Sequence, residues 1–577
     1  MIGKYFSKKD RGGFYLPGQE IKIDKVSSFH GFSCEKDSLS VCKNRVMFSI
    51  FSFAAVFLII AVRLFDLCVL SGLEKENSTP RGIYAHNPIR RADILDRNGT
   101  IVATSLPTVN LHVNPRKVFN APKLAHELVK ILPELDYDTT YKKLTQKGTF
   151  VYLKRNLTPS QQYQINYLGD PSLEFEEGEK RVYPHKNLLA HIIGSTDVDN
   201  AGISGIEKAM DERLTQSDIP LTLSIDVGIQ DTIRELLKEG MEKFKAAGAT
   251  AILMDANSAE VIAMVSLPDY DPNTNRVKNE RALFNMATKG VYEPGSVLKI
   301  FNTAMSLESG KVKVADKFDA TKPLKLRYNT IKDYRGENRW LSVPEILVYS
   351  SNIGSAQMAL KVGGNEQRNF LEKIGFFENV DIELAEKGRP LVPKRWSEST
   401  IATVAYGYGI SVSPLHVISA YSAIINGGVY HSPSLIKDSP KAKNGHRVVS
   451  FSTSKAMRKL MRLVVTDGSG KRANVKGYEV GGKTGTANKL SENGRYVDKK
   501  VRTTFVSAFP ISDPKYTLIV MLDEPQPLKE TWGFVTSGWN TVPTASKIIS
   551  AIAPQLNLKA NFDLDELRQA RIIEASY

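Results

Sequence analysis

Apolar positions along this chain change period three times, and each change predicts a different architecture. Near the N-terminus they run unbroken: Val46 to Val62 reads VMFSIFSFAAVFLIIAV, with no charged residue. A helix rises about 1.5 Å per residue, so this run covers roughly 25 Å of a hydrocarbon core about 30 Å thick. Leu64, Phe65 and Leu67 to Leu70 complete the crossing once Arg63 snorkels to the interface, which predicts a membrane helix over 46–70. From about 75 to 220 short extended runs (RADILDRNG, TFVYLKR) alternate with turns at Asn98-Gly99 and Asp199-Asn200 and with helical stretches such as APKLAHELVKILPEL. After Pro220, LTLSIDVGIQDTIRELLKEGMEKF predicts a strand and an amphipathic helix, and ATAILMDANSAEVIAMVSL predicts a hairpin turning at Asn257-Ser258. Helical spacing dominates 296–308, 343–361 and 411–426, and strands return in YEVGGKTGTAN, TTFVSAFPI and YTLIVMLDEP. Strands, then helices, then strands of one sheet describe an α+β domain in which early and late strands meet.

These patterns divide the 577 residues into a tail over 1–45, the membrane helix over 46–70, a mixed region over 75–220, an α+β domain over 221–556 and a short charged tail over 557–577. Composition changes little in that picture, because 42% hydrophobic and 24% charged residues are ordinary for a globular chain. The cysteines are Cys34, Cys42 and Cys68, so nothing beyond residue 68 can form a disulfide or a cysteine-based metal site. A net charge of +15 raises the question of a nucleic-acid partner. The basic residues are interspersed with acids, and no recognition-helix pattern, zinc spacing or RNA-binding signature accompanies them, so no nucleic acid is expected. An anionic surface of lipid or cell wall suits the same charge. Nine Lys/Arg in 1–45, among them Lys4, Lys8, Lys9, Arg11, Lys43 and Arg45, predict a cytoplasmic N-terminus and an exported remainder. A 45-residue lead without a following A-x-A-like site opposes a cleaved signal peptide, and Asp66-Leu67 opposes lipidation at Cys68.

Candidate chemistry centres on Tyr292-Glu-Pro-Gly-Ser296-Val-Leu-Lys299, at a predicted helix start. Val297, Ile300, Phe301, Ala304 and Met305 recur at helical spacing and predict one buried face, while Ser296 and Lys299 share a side of the first turn. A serine hydroxyl needs a nearby base, and a lysine serves only when burial or a second cation lowers its pKa. S-x-x-K also occurs at Ser40, Ser434, Ser452 and Ser512, so the motif alone is weak. Ser350-Ser351-Asn352 offers a hydroxyl and an amide between apolar helical runs, although Ser491-x-Asn493 has the same form. Lys483-Thr484-Gly485-Thr486 lies on a predicted strand. There Gly485 is expected to leave room for a ligand at the strand edge, Thr484 and Thr486 supply hydroxyls, and Lys483 supplies charge.

Ser296-x-x-Lys299, Ser350-x-Asn352 and Lys483-Thr484-Gly485 together resemble, in order and spacing, the penicillin-binding proteins and serine β-lactamases. The resemblance implies a penicillin-binding transpeptidase fold: an antiparallel sheet with a helical subdomain, carried on an elongated mixed α/β pedestal. It implies that Ser296 attacks the penultimate D-alanine carbonyl of a stem peptide, with Lys299 taking its proton. Ser350 and Lys483 then pass a proton to the leaving amine, Asn352 orients the substrate, and Thr484 and Thr486 hold the terminal carboxylate. The N–H groups of Ser296 and Thr486 form the oxyanion hole, a second peptide's amine resolves the ester, and no metal or organic cofactor is implied. Arg90-Arg-Ala-Asp-Ile-Leu-Asp-Arg97-Asn-Gly99, Arg181-Val-Tyr-Pro184 and Gly202-Ile-Ser-Gly205-Ile-Glu207 resemble pedestal motifs of the class B members, expected to brace the pedestal against the catalytic domain. EPGSVLKIF, GYGISVSPLHVISAYSAIINGG and GGKTGTANKLSENGRYVDKKVRTTFVSAFP are most similar to the division-specific FtsI or penicillin-binding protein 3 type. That similarity implies β-lactams as inhibitors, an FtsW-type septal glycan polymerase and other division proteins as partners, and an inner-membrane location at the septum.

Val297-Leu298 and Ile300 depart from the residues common in relatives, but they neighbour the reacting groups rather than supply them. An elongation-type transpeptidase of rod growth is the nearest alternative. A β-lactam hydrolase or sensor is opposed by the pedestal and anchor, and a silent scaffold by the presence of all three motifs. A bifunctional class A enzyme is opposed by the roughly 220 residues between membrane and Ser296, which the pedestal motifs occupy.

Overall fold

The apolar run near the N-terminus lies within a single helix, α1 (Glu35–Phe65), of which Val46–Arg63 is long and apolar enough to cross a membrane. The helix begins before the expected membrane segment because Glu35 to Arg45 is polar but contains no helix breaker. The computed structural model describes residues 35–65, 90–274, 279–327, 329–490 and 496–562. Most of the expected N-terminal tail, positions 66–70 of the expected membrane helix, most of the C-terminal tail and Ser491-x-Asn493 lie outside the described residues.

The pedestal is built on a long strand, β2 (Ile101–Val113), preceded by β1 (Ile94–Leu95) and joined by β3 (Val151–Leu157), β4 (Leu173–Val182) and β5 (Leu221–Thr222). The turn between β1 and β2 follows from Asp96, whose carboxylate accepts from the N–H groups of Asn98 (2.9 Å) and Thr100 (2.8 Å), with Gly99 at φ +89°. Helix α2 (Ala121–Ile131), capped by the Asn120 side chain, buries Leu124, Ala125 and Leu128 with Leu111, Val113, Leu153 and Leu157. The short strand read after Pro220 is β5, and it pairs in parallel with β1 of the pedestal. It ends after two residues because the Ser224 and Asp226 N–H groups turn to Leu435 O and Ile262 O of the α+β region.

The three pedestal motifs converge on one buried carboxylate. Glu207 is fully buried and accepts from Arg91 Nε at 2.6 Å and Arg181 Nε at 2.7 Å, while Arg91 also reaches Asp211 at 2.7 Å. Neighbouring motif residues make the cross-domain bonds. Asn98 Nδ2 donates to Asp226 (2.9 Å), Lys437 Nζ donates to Arg97 O (3.1 Å), Tyr183 N donates to Asn273 Oδ1 (3.0 Å), and Gly205 N donates to Glu386 (3.2 Å).

Beyond the pedestal, α3 (Val227–Lys243) leads into β6 (Gly248–Asp255) and β7 (Val261–Leu267), two almost wholly buried strands. Next come α4 (Leu298–Glu308), α5 (Asn352–Val362), α6 (Pro414–Ile425) and α7 (Phe451–Thr466). The late strands β8 (Gly481–Leu490), β9 (Tyr496–Phe509) and β10 (Tyr516–Asp523) precede the final helix α8 (Thr541–Gln555). The sheet is antiparallel in the order β8-β9-β10-β6-β7, so the late strands join the early hairpin as the pattern predicts. Helices α3 and α8 share one apolar core with the Phe505, Leu518 and Val520 face, and α4 and α6 share another with the Val506 and Ile519 face. One expectation changes: 343–361 is two helices, Val343–Val348 and α5, because Ser350 sits at φ +59° and Ser351 caps α5 by accepting from Gly354 N at 3.0 Å. Strand β8 is at the sheet edge, with one flank unpaired by any strand among the described residues.

Replacing Glu207 by Gln removes the negative charge shared by two buried guanidinium groups. Losing one partner of a buried ion pair costs about 3–5 kcal/mol, so the E207Q chain in detergent is expected to unfold at a markedly lower urea midpoint with unchanged slope.

Candidate active site

The turn that carries Ser296 is shaped by two glycines. Gly295 has φ +55° and donates its N–H to Gly407 O at 3.2 Å, and a Cβ on Gly295 would stand 2.8 Å from Thr486 O. Gly407, at φ +97°, has no room for a Cβ because it would collide with the Gly295 carbonyl. The chain therefore lies flat between the Tyr406–Gly409 turn and β8, then enters a single 3-10 turn, Gly295–Val297, that continues into α4. Ser296 remains partly exposed, while Lys299, one turn along, is completely buried.

Lys299 Nζ stands 2.7 Å from Ser296 Oγ, 2.7 Å from Asn352 Oδ1, 2.9 Å from Ser350 O and 3.2 Å from Ser350 Oγ. The left-handed backbone at Ser350 turns both its carbonyl and its hydroxyl to the same amine. From the other side Lys483 Nζ donates to Ser350 Oγ at 3.0 Å and to Thr484 O at 3.1 Å. The Ser350 hydroxyl thus bridges two buried lysines. Burial drives the Lys299 pKa well below its ordinary value, the Lys483 charge lowers it further, and Asp333 opposes the shift. Burial pushes Lys483 down to about 7.

Asp333 holds the middle segment in place. Its carboxylate accepts from Ser351 Oγ at 2.7 Å, from Ile353 N at 3.0 Å and from Asn352 N, while Asn352 Nδ2 donates to Lys332 O at 3.0 Å. With its amide nitrogen so engaged, Asn352 presents Oδ1 to Lys299. On β8 the side chains alternate. Thr484 Oγ1 pairs with Ser469 Oγ at 2.6 Å, and Thr486 Oγ1 accepts from Ser537 N at 3.2 Å. Gly485 faces the other way, where a Cβ would stand 2.8 Å from both Pro294 O and Val297 Cγ2. The missing Cβ lets β8 close on the turn that carries Ser296. A ladder of rings and cations lies across the same end of the molecule, with Arg472 3.7 Å from the Trp539 ring, Trp539 stacked on Phe534, and Arg335 4.8 Å from Phe534.

Ser296, Lys299, Ser350, Asn352, Lys483, Thr484, Gly485 and Thr486 are therefore brought together from the Gly295–Val297 turn, α4, the 349–352 segment and β8. In the S-x-x-K copies at Ser434, Ser452 and Ser512, no serine–lysine bond forms among the described residues. Ser434 Oγ instead donates to Glu383, Lys437 to Arg97 O, and Lys515 pairs with Asp513. Sequence reasoning missed Asp333, Ser469 and Ser537. Ser469 lies between Gly468 and Gly470, a turn signal ahead of β8, but nothing near Asp333 in the chain announces its partners.

Residues 249–539 match the model of the penicillin binding protein transpeptidase domain, and residues 86–218 match that of the penicillin-binding protein dimerisation domain. The probable peptidoglycan D,D-transpeptidase FtsI of Caulobacter vibrioides is 35% identical over 491 residues, covering 82% of each chain. The chain belongs to the class B penicillin-binding proteins of FtsI type. The Escherichia coli peptidoglycan D,D-transpeptidase FtsI is 29% identical over 503 residues, covering 81% of this chain and 84% of its own. Penicillin binding protein 3 of Mycobacterium tuberculosis, solved with aztreonam, shares the fold at a TM-score of 0.65 and 23% identity, over 82% of this chain and 98% of its own. As a class B penicillin-binding protein the chain is a serine-type peptidoglycan D,D-transpeptidase inhibited by β-lactams.

Gly485→Ala is expected to push β8 from the Pro294–Val297 turn. Overpacking of this kind typically costs about 1–3 kcal/mol, and a lower melting temperature together with at least a ten-fold slower penicillin acylation would be its signature.

Proposed function

We propose that this transpeptidase cross-links septal peptidoglycan during cell division through an acyl-enzyme on Ser296. The observation that carries the site assignment is the 2.7 Å approach of a wholly buried, oxygen-surrounded Lys299 amine to Ser296 Oγ. A lysine held neutral has a lone pair to take the serine proton as Oγ attacks the penultimate D-alanine carbonyl. The N–H groups of Ser296 and Thr486 receive the developing oxyanion, a role whose loss typically slows such reactions ~10²–10³-fold. Lys483 and Ser350, already bonded at 3.0 Å, relay a proton to the departing D-alanine amine. Asn352 orients both Lys299 and the bound peptide, and Thr484 and Thr486 hold the terminal carboxylate. Gly485 lets β8 lie close against the turn that carries Ser296.

The catalytic domain is taken as 221–556 and the pedestal as 75–220. The N-terminus lies in the cytoplasm, α1 crosses the inner membrane, and the catalytic part works in the periplasm. The division role is supported by similarity to two FtsI proteins, with an FtsW-type glycan polymerase and other division proteins as partners.

Labelling with a fluorescent penicillin is expected to mark the wild type and to fail with Ser296→Ala; label retained on the variant would refute the nucleophile. A fluorescent fusion is expected to gather at the septum, and a lateral-wall pattern would favour rod growth instead.

The lowered lysine pKa values also set pH behaviour. Acylation should rise with pH through the depressed Lys299 pKa and level off well below 10.5, because only the neutral amine is a base. A rising limb near 10 in a stopped-flow acylation profile would contradict this. For stability the sign is the same: between about 7 and 10.5 the unfolded chain holds the Lys483 proton that the folded chain lacks, so folding stability from this group rises with pH across that window.

A further inference from the structure

Beside the nucleophile's turn, and outside the groups assigned above, stands a carboxylate enclosed by aromatic rings. Glu293, three residues before Ser296, is half-buried and accepts from Gly409 N at 2.7 Å and from Tyr496 OH at 3.2 Å. Tyr408 meets Tyr496 edge to face at 5.4 Å between ring centroids and meets Tyr406 at 5.8 Å. Tyr496 is 48% exposed and Tyr406 and Tyr408 are half-buried, so the cluster opens to solvent rather than closing into the core. No lysine, arginine or histidine forms an ion pair with Glu293 among the described residues. The Arg502 guanidinium acts on Glu293 only through space, without an ion pair. A half-buried carboxylate with no cation bonded to it among the described residues, walled by electron-rich rings, is the arrangement that recognises an alkylammonium group, by charge on one side and by ring quadrupoles on the other.

We propose that Glu293, with Tyr406, Tyr408 and Tyr496, binds the primary ammonium of the acceptor strand. The proposal rests on the transpeptidase reading of Ser296, whose ester an amine must resolve. Lys483, Thr484 and Thr486 draw the donor to β8, whereas Glu293 is joined to the Tyr406–Gly409 turn, which backs Ser296 through the Gly295–Gly407 bond. Two peptides can therefore be received by separate groups. Burial raises the Glu293 pKa despite its hydrogen bonds, which makes the carboxylate a better proton acceptor. The ammonium gives one proton to Glu293. The free amine then forms the new amide bond at the acyl carbon as the bond to Ser296 Oγ breaks, and its second proton passes through Lys299 to Oγ.

The test uses the full chain in detergent with an N-acyl-D-alanyl thioester as donor and Nα-acetyl-lysine amide as the amine probe, with aminolysis and hydrolysis products separated by mass. Glu293→Gln keeps an acceptor for Gly409 N and Tyr496 OH while removing the charge. It is expected to be acylated by fluorescent penicillin within two-fold of wild type, while its aminolysis-to-hydrolysis ratio falls at least ten-fold and the KM for the amine rises. Glu293→Asp should recover part of the ratio, and Tyr408→Leu should lower it. An unchanged ratio in Glu293→Gln, or penicillin acylation falling in proportion to aminolysis, overturns the proposal, as does a wild type that only hydrolyses at every amine concentration. Failure of the transpeptidase reading itself would look different: label would persist on Ser296→Ala.

Discussion

Two lysine side chains are buried side by side here, and among the described residues no carboxylate is bonded to either. Proteins ordinarily pair a buried ammonium with an acid, because stripping its water without compensation is expensive. Lys299 and Lys483 instead face the oxygens of Ser296, Ser350, Asn352 and Thr484, all neutral groups. Such a shell can hold an uncharged amine, and three remote stretches of chain must meet to build it. The left-handed Ser350, the glycines at 295, 407 and 485 and the Asp333 anchor are all consequences of that meeting. Asp333 stays one step away, bonded to the backbone and hydroxyl of 351–353, so that it orders the shell without neutralising it.

The pedestal solves the same problem in the opposite way. Glu207 is as deeply buried as the lysines, but it is gripped by two guanidinium groups. Guanidinium forks fix direction as well as charge, so the three motifs lock into one node. Rigid charge suits a joint between domains, and a charge that burial can remove suits the proton transfers proposed for the lysines.

Much of this was legible in the chain because local periodicity and tertiary need agree. The hairpin of β6 and β7 reads as two apolar runs around Asn257-Ser258, and burial on both faces explains why those runs do not alternate. Seven of the eight motif residues were legible because they carry hydroxyl, amide or amine groups, and Gly485 was legible only as part of the Lys483-Thr484-Gly485 motif. Other features depend on partners far away in sequence. The break at 349–351 occurs inside apolar helical spacing and is imposed by contacts to Lys299 and Asp333, which no local pattern encodes. The role of Gly485 depends on what stands opposite it, and that is fixed only when β8 reaches Pro294 and Val297. Helices α7 and α8 bury Met457, Leu460, Met461 and Val464, and Val542, Ala545, Ile548 and Ile549, at plain helical spacing. They were missed although the signal was present.

Among the described residues strand β8 ends the sheet with one flank unpaired by any strand, and its lysine is buried. An open strand edge is a template that any passing extended chain can extend, including another copy during folding. A desolvated inward amine at that edge is a poor partner for a random apolar strand, so Lys483 disfavours self-association through the groove. The residue assigned to moving protons thereby also keeps the edge vacant, and a variant that made this position apolar would trade solubility along with reactivity.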